Sequence, residues 1–388
     1  MTMKQKTLPY HVYTIPILFL AAVGIVASAY LALSHYRNYT DIGYSSFCAL
    51  SQSINCDTVS QSPWSILFGL PVALWGILGY TAFFLLSLPA QTNTKERRPL
   101  WDLLFILSLL FSLFALYFGY ITATKIGSYC IVCLLTYVVS LSLLFSTWII
   151  RRRFNDHSLL KGIQTGLRTL IGQKIILSLL ILLVLGFAAL RVFLPTYWQY
   201  QYPQLSKNIA TGVTEKGHPW IGAKDPKLTI NEFTDYQCFQ CSKVHFFLRL
   251  LVDKYPDKIR LVHYHYPMDE KFNTVLVKEP FHTGSGDLAL LTIAAGRQGK
   301  FWEANDALYR EVQHGVTAFN IQEFAQKLHL DADQLKKDMY SESALKQVDS
   351  DIWTGLKKKI IGTPSFIVDG KVYAGHLPNE LLDIIKEE

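Results

Sequence analysis

The sequence predicts an all-α helical bundle in a membrane, followed by an α/β domain with a helical insertion. Of the 388 residues, 50% are hydrophobic and only 17% are charged, and the mean hydropathy is +0.21. This balance is unusual for a soluble protein and typical of a chain that is partly embedded in a membrane. The long apolar runs end near residue 195, and shorter strand-like and helix-like segments follow.

Five apolar runs are long enough to cross a bilayer, which takes about 20 residues per helix. They lie at about 17–33, 67–88, 102–125, 125–151 and 174–195. Each run alone could be a buried core helix, but five of them in one half of a chain favour membrane spans. The first run could also be a secretory signal peptide, although it is long for one and lacks a clear cleavage site.

Basic residues are concentrated in alternate loops, which predicts the orientation of the helices. On one side they are Lys4, Lys6, Lys95, Arg97, Arg98, Arg151, Arg152, Arg153, Lys161, Arg168 and Lys174. The opposite loops carry Arg37 and Lys125. We therefore expect a multi-pass membrane protein with a cytoplasmic N-terminus and residues 196–388 outside. These loops also explain the net charge of +7, so a nucleic-acid partner is not expected.

Aromatic residues follow the fifth apolar run. They are Tyr197, Trp198, Tyr200 and Tyr202. Such a cluster is typical of the boundary between lipid and water, so it indicates where the fifth helix leaves the bilayer.

All six cysteines belong to close pairs. The pairs are Cys48 with Cys56, Cys130 with Cys133, and Cys238 with Cys241. The predicted orientation places all three outside the cytoplasm, where disulfides persist, and three dithiols on one side favour thiol–disulfide exchange. The first pair could instead be a structural disulfide. The second has zinc-site spacing, but no second C-x-x-C lies near it, so no metal is expected.

The third cysteine pair lies between a predicted strand and a predicted helix. The strand covers 228–233, the C-x-x-C follows, and the helix covers 242–253. This is a thioredoxin-like arrangement, in which the helix N-terminus lowers the pKa of the first cysteine. A further strand at 259–264, helices over 284–350, and a turn and hairpin at 362–371 complete the domain.

Changes in composition suggest four segments. They are a membrane domain at 1–153, a cytoplasmic loop with the fifth helix at 154–202, a linker at 203–226 and the α/β domain at 227–388. The linker is inferred from its polar residues and its scattered glycine and proline.

The α/β domain resembles the DsbA-type branch of the thioredoxin-like oxidoreductases. The resemblance rests on the C-x-x-C and on the sequence Gly-Thr-Pro at 362–364. It implies that Pro364 follows a cis peptide bond and faces the active-site disulfide. It also implies that Glu232, six positions before Cys238, is an acid buried beneath that disulfide. An ordinary turn proline and a strand-end carboxylate are the alternatives.

The membrane domain resembles the vitamin K epoxide reductase family over about 10–150. The residues that carry the resemblance are Cys48, Cys56, Ser62, Trp64, Phe68, Gly69, Tyr129, Cys130, Ile131, Val132, Cys133 and Tyr137. The resemblance implies a four-helix redox core, to which the fifth helix adds a return to the outer side. In bacteria such domains are often fused to thioredoxin-like domains, and the C-terminal half provides one, so the resemblance implies a protein of the bacterial inner (plasma) membrane.

The two resemblances together imply an order of electron transfer. Electrons would pass from exported thiol proteins through Cys238/Cys241, Cys48/Cys56 and Cys130/Cys133 to a membrane quinone, either ubiquinone or menaquinone. Cys133 would react with the quinone and Cys130 would form a mixed disulfide with Cys56. Cys48 would exchange with Cys238, and the bond would then be resolved by Cys241.

Four further residues are candidates for the quinone site. Tyr137 lies one helical turn after Cys133, so its hydroxyl can face the same pocket, although it could equally be a packed aromatic. Ser62 and Ser65 precede the second helix, and Phe68 could line the pocket. Ser65 stands where the family can have an amide side chain, and serine is shorter.

The resulting hypothesis is a quinone-linked thiol oxidase that generates disulfides in exported proteins. One alternative is a membrane-anchored disulfide oxidoreductase or isomerase without quinone turnover, and another is reduction of vitamin K or its epoxide. A reductive conduit across the membrane would need a cysteine pair on the cytoplasmic side, and the predicted orientation provides none. The scattered residues His245, His263, His265 and His282 are interpreted as surface or core histidines.

Overall fold

The computed structural model describes residues 8–44, 46–49, 53–199, 209–313 and 320–375. The chain divides into two compact units. The helical unit comprises Met1–Thr40 and Ser45–Gln199, and the α/β unit comprises Asp41–Tyr44 and Tyr200–Glu388. Residues Tyr200 and Tyr202 of the predicted aromatic segment lie outside the described residues.

The helical unit contains the five predicted apolar helices. Its helices are α1 (Tyr10–Thr40), α2 (Cys56–Gln61), α3 (Val72–Ala90), α4 (Leu100–Ile121), α5 (Ile131–Phe154), α6 (Leu159–Gly172) and α7 (Lys174–Phe193). A two-strand ladder joins β1 (Ile66–Leu67) to β2 (Leu70–Pro71), and one π-helical turn (Thr122–Ile126) extends α4. Helices α1, α3, α4, α5 and α7 are long and apolar enough to cross a membrane, which confirms the number of predicted spans.

Small residues allow the membrane helices to approach one another closely. A Cβ atom on Gly24 of α1 would lie 2.6 Å from the ring of Tyr80 in α3. The hydroxyl of Tyr80 in turn lies 2.7 Å from that of Ser140 in α5. Close packing over glycine and hydrogen bonds between polar side chains are the contacts that hold helices together in lipid.

A second polar cluster joins the ends of α4 and α5 to the segment before α6. Asp102 is fully buried and accepts hydrogen bonds from Arg151 at 2.7 Å and Asn155 at 2.7 Å. The ring of His157 lies 2.9 Å from the same carboxylate. This buried carboxylate therefore has several polar partners, as burial of a charge requires.

The α/β unit is built on one six-stranded sheet. Its strands are β3 (Thr211–Val213), β4 (Pro219–Gly222), β5 (Leu228–Thr234), β6 (Ile259–His265), β7 (Ser365–Val368) and β8 (Lys371–Ala374), in the order β3-β4-β6-β5-β7-β8. Strands β5 and β6 are parallel, and the other neighbours are antiparallel. The strand, helix and hairpin segments predicted for this unit are all present.

Among the described residues of this unit, six helices accompany the sheet. They are α8 (Phe239–Lys254), α9 (Ser285–Arg297), α10 (Phe301–Gln313), α11 (Ile321–Leu328), α12 (Ala332–Met339) and α13 (Glu342–Lys357). Helix α8 is the parallel crossover between β5 and β6, and α9–α13 form the insertion between β6 and β7. Phe233, Phe246 and Tyr266 are fully buried in the core between the sheet and these helices.

The predicted linker at 203–226 is wrong over its second part. Thr211–Val213 and Pro219–Gly222 are paired strands at one edge of the sheet. The polar residues between them form a hairpin turn, in which Gly217 has a φ of +88°. Glycine and proline in this stretch therefore indicate a turn and a strand start, which composition alone cannot distinguish from a linker.

Gly222→Ala is expected to destabilise this edge of the sheet. Gly222 has a φ of +116°, and a Cβ atom there would lie 2.1 Å from the carbonyl oxygen of Ile259. Backbone strain and the clash together should lower the free energy of unfolding by about 2–3 kcal/mol. Hydrogen exchange of the full chain, read by mass spectrometry on peptides from β4 and β6, should show faster exchange in the variant.

Gly217→Ala is the matched control, because its φ is also positive but open space surrounds its Cβ position. We expect this substitution to lower the free energy of unfolding by about 1 kcal/mol, from backbone strain alone. Equal exchange rates in the two variants would contradict the role assigned to the contact between Gly222 and Ile259.

Candidate functional site

The C-x-x-C of the α/β unit lies at the N-terminus of α8. Cys238 is the N-cap residue, and its sulfur accepts a hydrogen bond from the backbone N–H of Cys241 at 3.3 Å. Cys238 is partly exposed, whereas Cys241 is buried. The two cysteines are therefore an accessible sulfur and a protected one, which suits an attacking and a resolving thiol.

The environment of Cys238 favours its thiolate. The hydrogen bond with Cys241 lowers the pKa of Cys238, and the nearby imidazole of His282 lowers it further, against an opposing effect of burial. Burial raises the pKa of Cys241 well above its ordinary value, and the neighbouring Cys238 adds to this rise. These shifts favour Cys238 over Cys241 as the nucleophile, because the thiolate is the reactive form.

The turn before β7 lies against Cys238. The Thr363–Pro364 peptide bond is cis, as the sequence predicts. The Cys238 thiol donates to the carbonyl oxygen of Thr363 at 3.6 Å. The turn that carries Pro364 therefore borders the reactive sulfur.

Asp235 and His282 belong to this site, and the sequence did not single them out. The ring Nδ1 of His282 lies 3.1 Å from the carboxylate of Asp235. Asp235 also accepts hydrogen bonds from the backbone N–H of Met268 at 2.6 Å and from Ser285 at 2.8 Å. The carboxylate raises the pKa of His282 against the effect of burial. A positive charge is thereby favoured near Cys238.

Glu232 is fully buried in a network of histidines. Its carboxylate lies 3.0 Å from Nδ1 of His263 and 3.7 Å from Nδ1 of His245, and His245 pairs with Asp306 at 2.7 Å. Burial raises the pKa of Glu232, but hydrogen bonds with His245 and His263 outweigh it and lower the pKa to about 2. The carboxylate is therefore ionised and held by imidazoles, and two of the histidines that we interpreted as scattered, His245 and His263, are its partners.

His282→Gln is expected to slow the reaction of Cys238 at neutral pH. Loss of the imidazole removes an effect that lowers the cysteine pKa, so the pKa should rise and the thiolate fraction at pH 7 should fall. Each unit of pKa reduces that fraction about tenfold. The measurement is the rate of Cys238 alkylation in the reduced full chain as a function of pH, and the inflection should move to higher pH.

The control is His329→Asn, since His329 is exposed at the end of α11 with a φ of +55°, a conformation that asparagine tolerates. Its alkylation profile should match that of the unmodified chain. An unchanged profile in His282→Gln would show that His282 does not tune the thiol.

The four cysteines of the helical unit lie together. Cys48 and Cys56 form one disulfide, and Cys130 and Cys133 form another. Cys48, Cys56 and Cys130 are buried in one cluster, against which Cys133 packs. The segment before α2 pairs with the segment before α5, because the N–H of Asn55 donates to the carbonyl of Tyr129 at 3.0 Å. This pairing places Cys56 beside Cys130.

A cavity of about 610 Å³ lies within the helical unit and is mostly apolar. All five residues that the sequence predicted for a quinone site line it: Cys133, Tyr137, Ser62, Ser65 and Phe68. Cys133 and the candidate polar residues are therefore brought to one cavity. Its volume is within the range of sites for small organic ligands.

The candidate polar groups of the cavity differ in their availability. The Ser62 hydroxyl donates to the carbonyl of Val59 at 2.8 Å, so its hydrogen is already engaged. Ser65 instead lies 3.4 Å from Nε2 of His35. His35 also lines the cavity and was missed, because a histidine near the end of an apolar run has no sequence pattern that marks it.

No group of three or more histidine, cysteine, aspartate or glutamate residues is placed to hold a metal ion in the described ranges. The second cysteine pair is bonded internally.

Two family models match the chain. Residues 15–148 match the vitamin K epoxide reductase family, and residues 214–387 match thioredoxin. The fold and the paired cysteines thus define a membrane thiol–disulfide oxidoreductase. The chain joins an N-terminal domain of the vitamin K epoxide reductase family to a C-terminal thioredoxin-like domain.

Several curated proteins are similar to part of the chain. They include the Na⁺/H⁺ antiporters NhaA 3 of Salinispora tropica, NhaA 1 of Salinispora arenicola and NhaA of Herminiimonas arsenicoxydans. They are 25–26% identical over 154–161 residues, which is 40–42% of this chain. The chain spans less than a quarter of their length, 22–23%, so their activity is not transferred to it.

Solved structures with similarity include a thioredoxin-like oxidoreductase from Silicibacter pomeroyi, with 24% identity, a TM-score of 0.36 and coverage of 45% of this chain and 92% of that one. The thiol-disulfide exchange protein alpha-DsbA2 from Wolbachia pipientis has 15% identity, a TM-score of 0.36 and coverage of 44% and 86%. DsbA2 from Pseudomonas aeruginosa has 23% identity and a TM-score of 0.33, with coverage of 43% of this chain and 91% of that one. Similarities at this level do not identify an activity.

Proposed function

We propose that the protein is a quinone-linked thiol oxidase of the bacterial inner membrane. Its thioredoxin-like domain takes electrons from the thiols of exported proteins. The electrons pass through Cys48/Cys56 and Cys130/Cys133 to a lipid-soluble quinone, either ubiquinone or menaquinone. The observation that carries the proposal is the apolar cavity that Cys133 lines, because an electron acceptor must reach the last sulfur of the relay.

The cavity suits a quinone in chemical terms. Its wall is mostly apolar, as a prenylated ring requires, and Ser65 and Tyr137 offer hydroxyl groups to ring oxygens. Binding sites of this kind combine apolar surface with a few polar groups that fix orientation. The quinone supplies a two-electron oxidant, and the chain's own residues position its ring beside Cys133.

Each transfer between cysteine pairs is a thiol–disulfide exchange. Cys238 is the sulfur of its pair that exchanges with partners, because its lowered pKa favours the thiolate. Cys241 stays protonated at neutral pH, because its pKa is raised by burial, and it resolves the mixed disulfide once its proton is removed. In the helical unit, the proximity of Cys56 to Cys130 supports a transfer between these two sulfurs.

Substrate thiols would approach Cys238 beside the turn that carries Pro364. Strand β7 is paired on both sides, with β5 and β8, so its backbone offers no free edge. Backbone pairing with a client is therefore limited to the turn itself, which favours weak sequence selectivity.

The orientation follows from charge. Arg151, Arg152 and Arg153 lie in the last turn of α5, and basic residues also precede α4 and α7. By the positive-inside rule, the C-terminal end of α5 and the N-terminal ends of α4 and α7 lie in the cytoplasm. The cysteines at the start of α5 then lie at the outer side, together with the α/β unit.

The test is quinone reduction by the full chain in lipid nanodiscs, with a reduced unfolded protein as electron donor and a short-chain ubiquinone or menaquinone as acceptor. We expect one quinol formed for each disulfide introduced into the donor. Oxidation of the donor's thiols without quinol would favour an anchored oxidoreductase or isomerase. Conversion of vitamin K epoxide in place of quinone would favour the reductase alternative.

A further inference from the structure

A chain of three hydrogen-bonding side chains leads from the end of α7 to the cavity. The Tyr197 hydroxyl lies 2.9 Å from Nδ1 of His35, and Nε2 of His35 lies 3.4 Å from the hydroxyl of Ser65. Both His35 and Ser65 line the cavity that contains Cys133. From this geometry we infer that Tyr197, His35 and Ser65 form a proton relay to a quinone bound in the cavity.

The relay needs one histidine tautomer. With the proton on Nε2, His35 donates to the Ser65 oxygen, while Nδ1 accepts from the Tyr197 hydroxyl. The Ser65 hydroxyl then has its own hydrogen to donate into the cavity. Both ring nitrogens are engaged in this arrangement, so the ring is held in one orientation, as a relay of this kind requires.

The position of the imidazole is fixed by packing as well as by hydrogen bonds. His35 is only 3% exposed. Its ring contacts Tyr39 at a centroid distance of 5.0 Å and Tyr197 at 5.5 Å. Trp198 lies at 6.5 Å. Tyr197 itself is only partly buried and follows the last turn of α7, so one end of the chain is near solvent and the other faces the cavity.

The relay rests on the proposed function, and the electrons and protons of the reaction balance. The dithiol of Cys130 and Cys133 forms a disulfide and gives up two electrons and two protons. The quinone takes two electrons and two protons to become a quinol. One thiol proton is lost to solvent before the electrons move, since the thiolate is the reactive form, and the other passes to one ring oxygen. The second ring oxygen takes a proton from Ser65. His35 then returns a proton to Ser65, Tyr197 returns one to His35, and water returns one to Tyr197.

The proposal explains why serine can stand at position 65. An amide side chain donates a hydrogen bond to a carbonyl oxygen but does not give up its proton at neutral pH. A serine that is hydrogen-bonded to histidine can donate a hydrogen bond and also transfer a proton, since the imidazole replaces it. Ser65 is therefore a catalytic residue here, whereas His35 and Tyr197 act through it.

The experiment is a single turnover of quinol formation by the chemically reduced full chain in nanodiscs. Quinone concentration is varied, in water and in deuterium oxide. His35→Gln keeps a side chain of similar reach but cannot relay a proton, so we expect the maximal rate to fall about 10- to 100-fold. The quinone concentration for half-maximal rate should change less than twofold, and the solvent isotope effect should increase.

Two further variants test the ends of the relay. Tyr197→Phe keeps the ring that packs on His35 and loses the hydroxyl, so the rate should fall with unchanged quinone dependence. Ser65→Ala should lower the rate and also weaken binding of a quinone analogue that cannot be reduced, measured by equilibrium titration. His35→Gln should leave that binding constant within twofold.

Ser142→Ala is the matched control. Ser142 lies on α5 like Ser140 and Tyr137, but it is not among the residues that line the cavity. Its rate and isotope effect should equal those of the unmodified chain. If the unmodified chain forms quinol and both His35→Gln and Tyr197→Phe match it, the relay is wrong. If the unmodified chain forms none, the proposed function itself fails.

Discussion

Replacing Cys133 with serine should abolish quinone reduction, with a fall in rate of at least about 10³-fold, the scale of loss when an enzyme loses its nucleophile. Cys133 is the cysteine of the second pair that lines the cavity. A serine hydroxyl cannot form a disulfide with Cys130, so two-electron transfer from this pair stops. The measurement is anaerobic absorbance of quinol after mixing the reduced full chain with quinone.

Ser142→Ala provides a control on the same helix, because Ser142 is not among the residues that line the cavity. It should form quinol at the unmodified rate. Quinol formation by Cys133→Ser at a comparable rate would mean that another sulfur reduces the quinone, and the assigned end of the relay would then be wrong.

The combined variant Cys241→Ala and Cys56→Ala should accumulate a mixed disulfide between Cys238 and Cys48. Each substitution removes the sulfur that would otherwise resolve this bond. The cross-link should become the main disulfide of the purified full chain, identified by non-reducing digestion and mass spectrometry. A link from Cys238 to Cys130 or Cys133 instead would overturn the proposed order.

The same digestion should find no such link when Cys238 is also replaced by alanine. Cys48 is fully buried while it is bonded to Cys56. The trap therefore also tests whether loss of that bond exposes Cys48 to a partner. No cross-link under oxidising conditions would argue that the sulfurs of the two units do not exchange directly.

Much of the fold is predictable from local pattern. Membrane helices are recognised from long apolar runs, because bilayer thickness fixes their length. The hairpin at Asp369-Gly370 is also predictable, since both residues have positive φ values, as an Asp-Gly turn requires. The strand pair at 211–222 was not predicted, because its residues reach the sheet only through pairing with distant β6.

The cysteines and the cavity candidates were predictable because spacing and family motifs mark them. The roles of Asp235, His282 and His35 could not be predicted in this way. Each owes its place to tertiary contacts, with His282 reaching Asp235 from a loop before α9 and His35 reaching Tyr197 across 162 positions. A single histidine in a sequence carries no sign of the partner that gives it a role.

The burial of Cys48, Cys56 and Cys130 has a consequence for selectivity. Small thiols dissolved in the surrounding water have no access to these sulfurs in the oxidised chain, so they cannot reduce these disulfides directly. Reduction then depends on a protein surface able to open the loop around Cys48. The buried sulfurs of the helical unit would thus be insulated kinetically from the bulk redox buffer, and steric access would decide which donors can reach them.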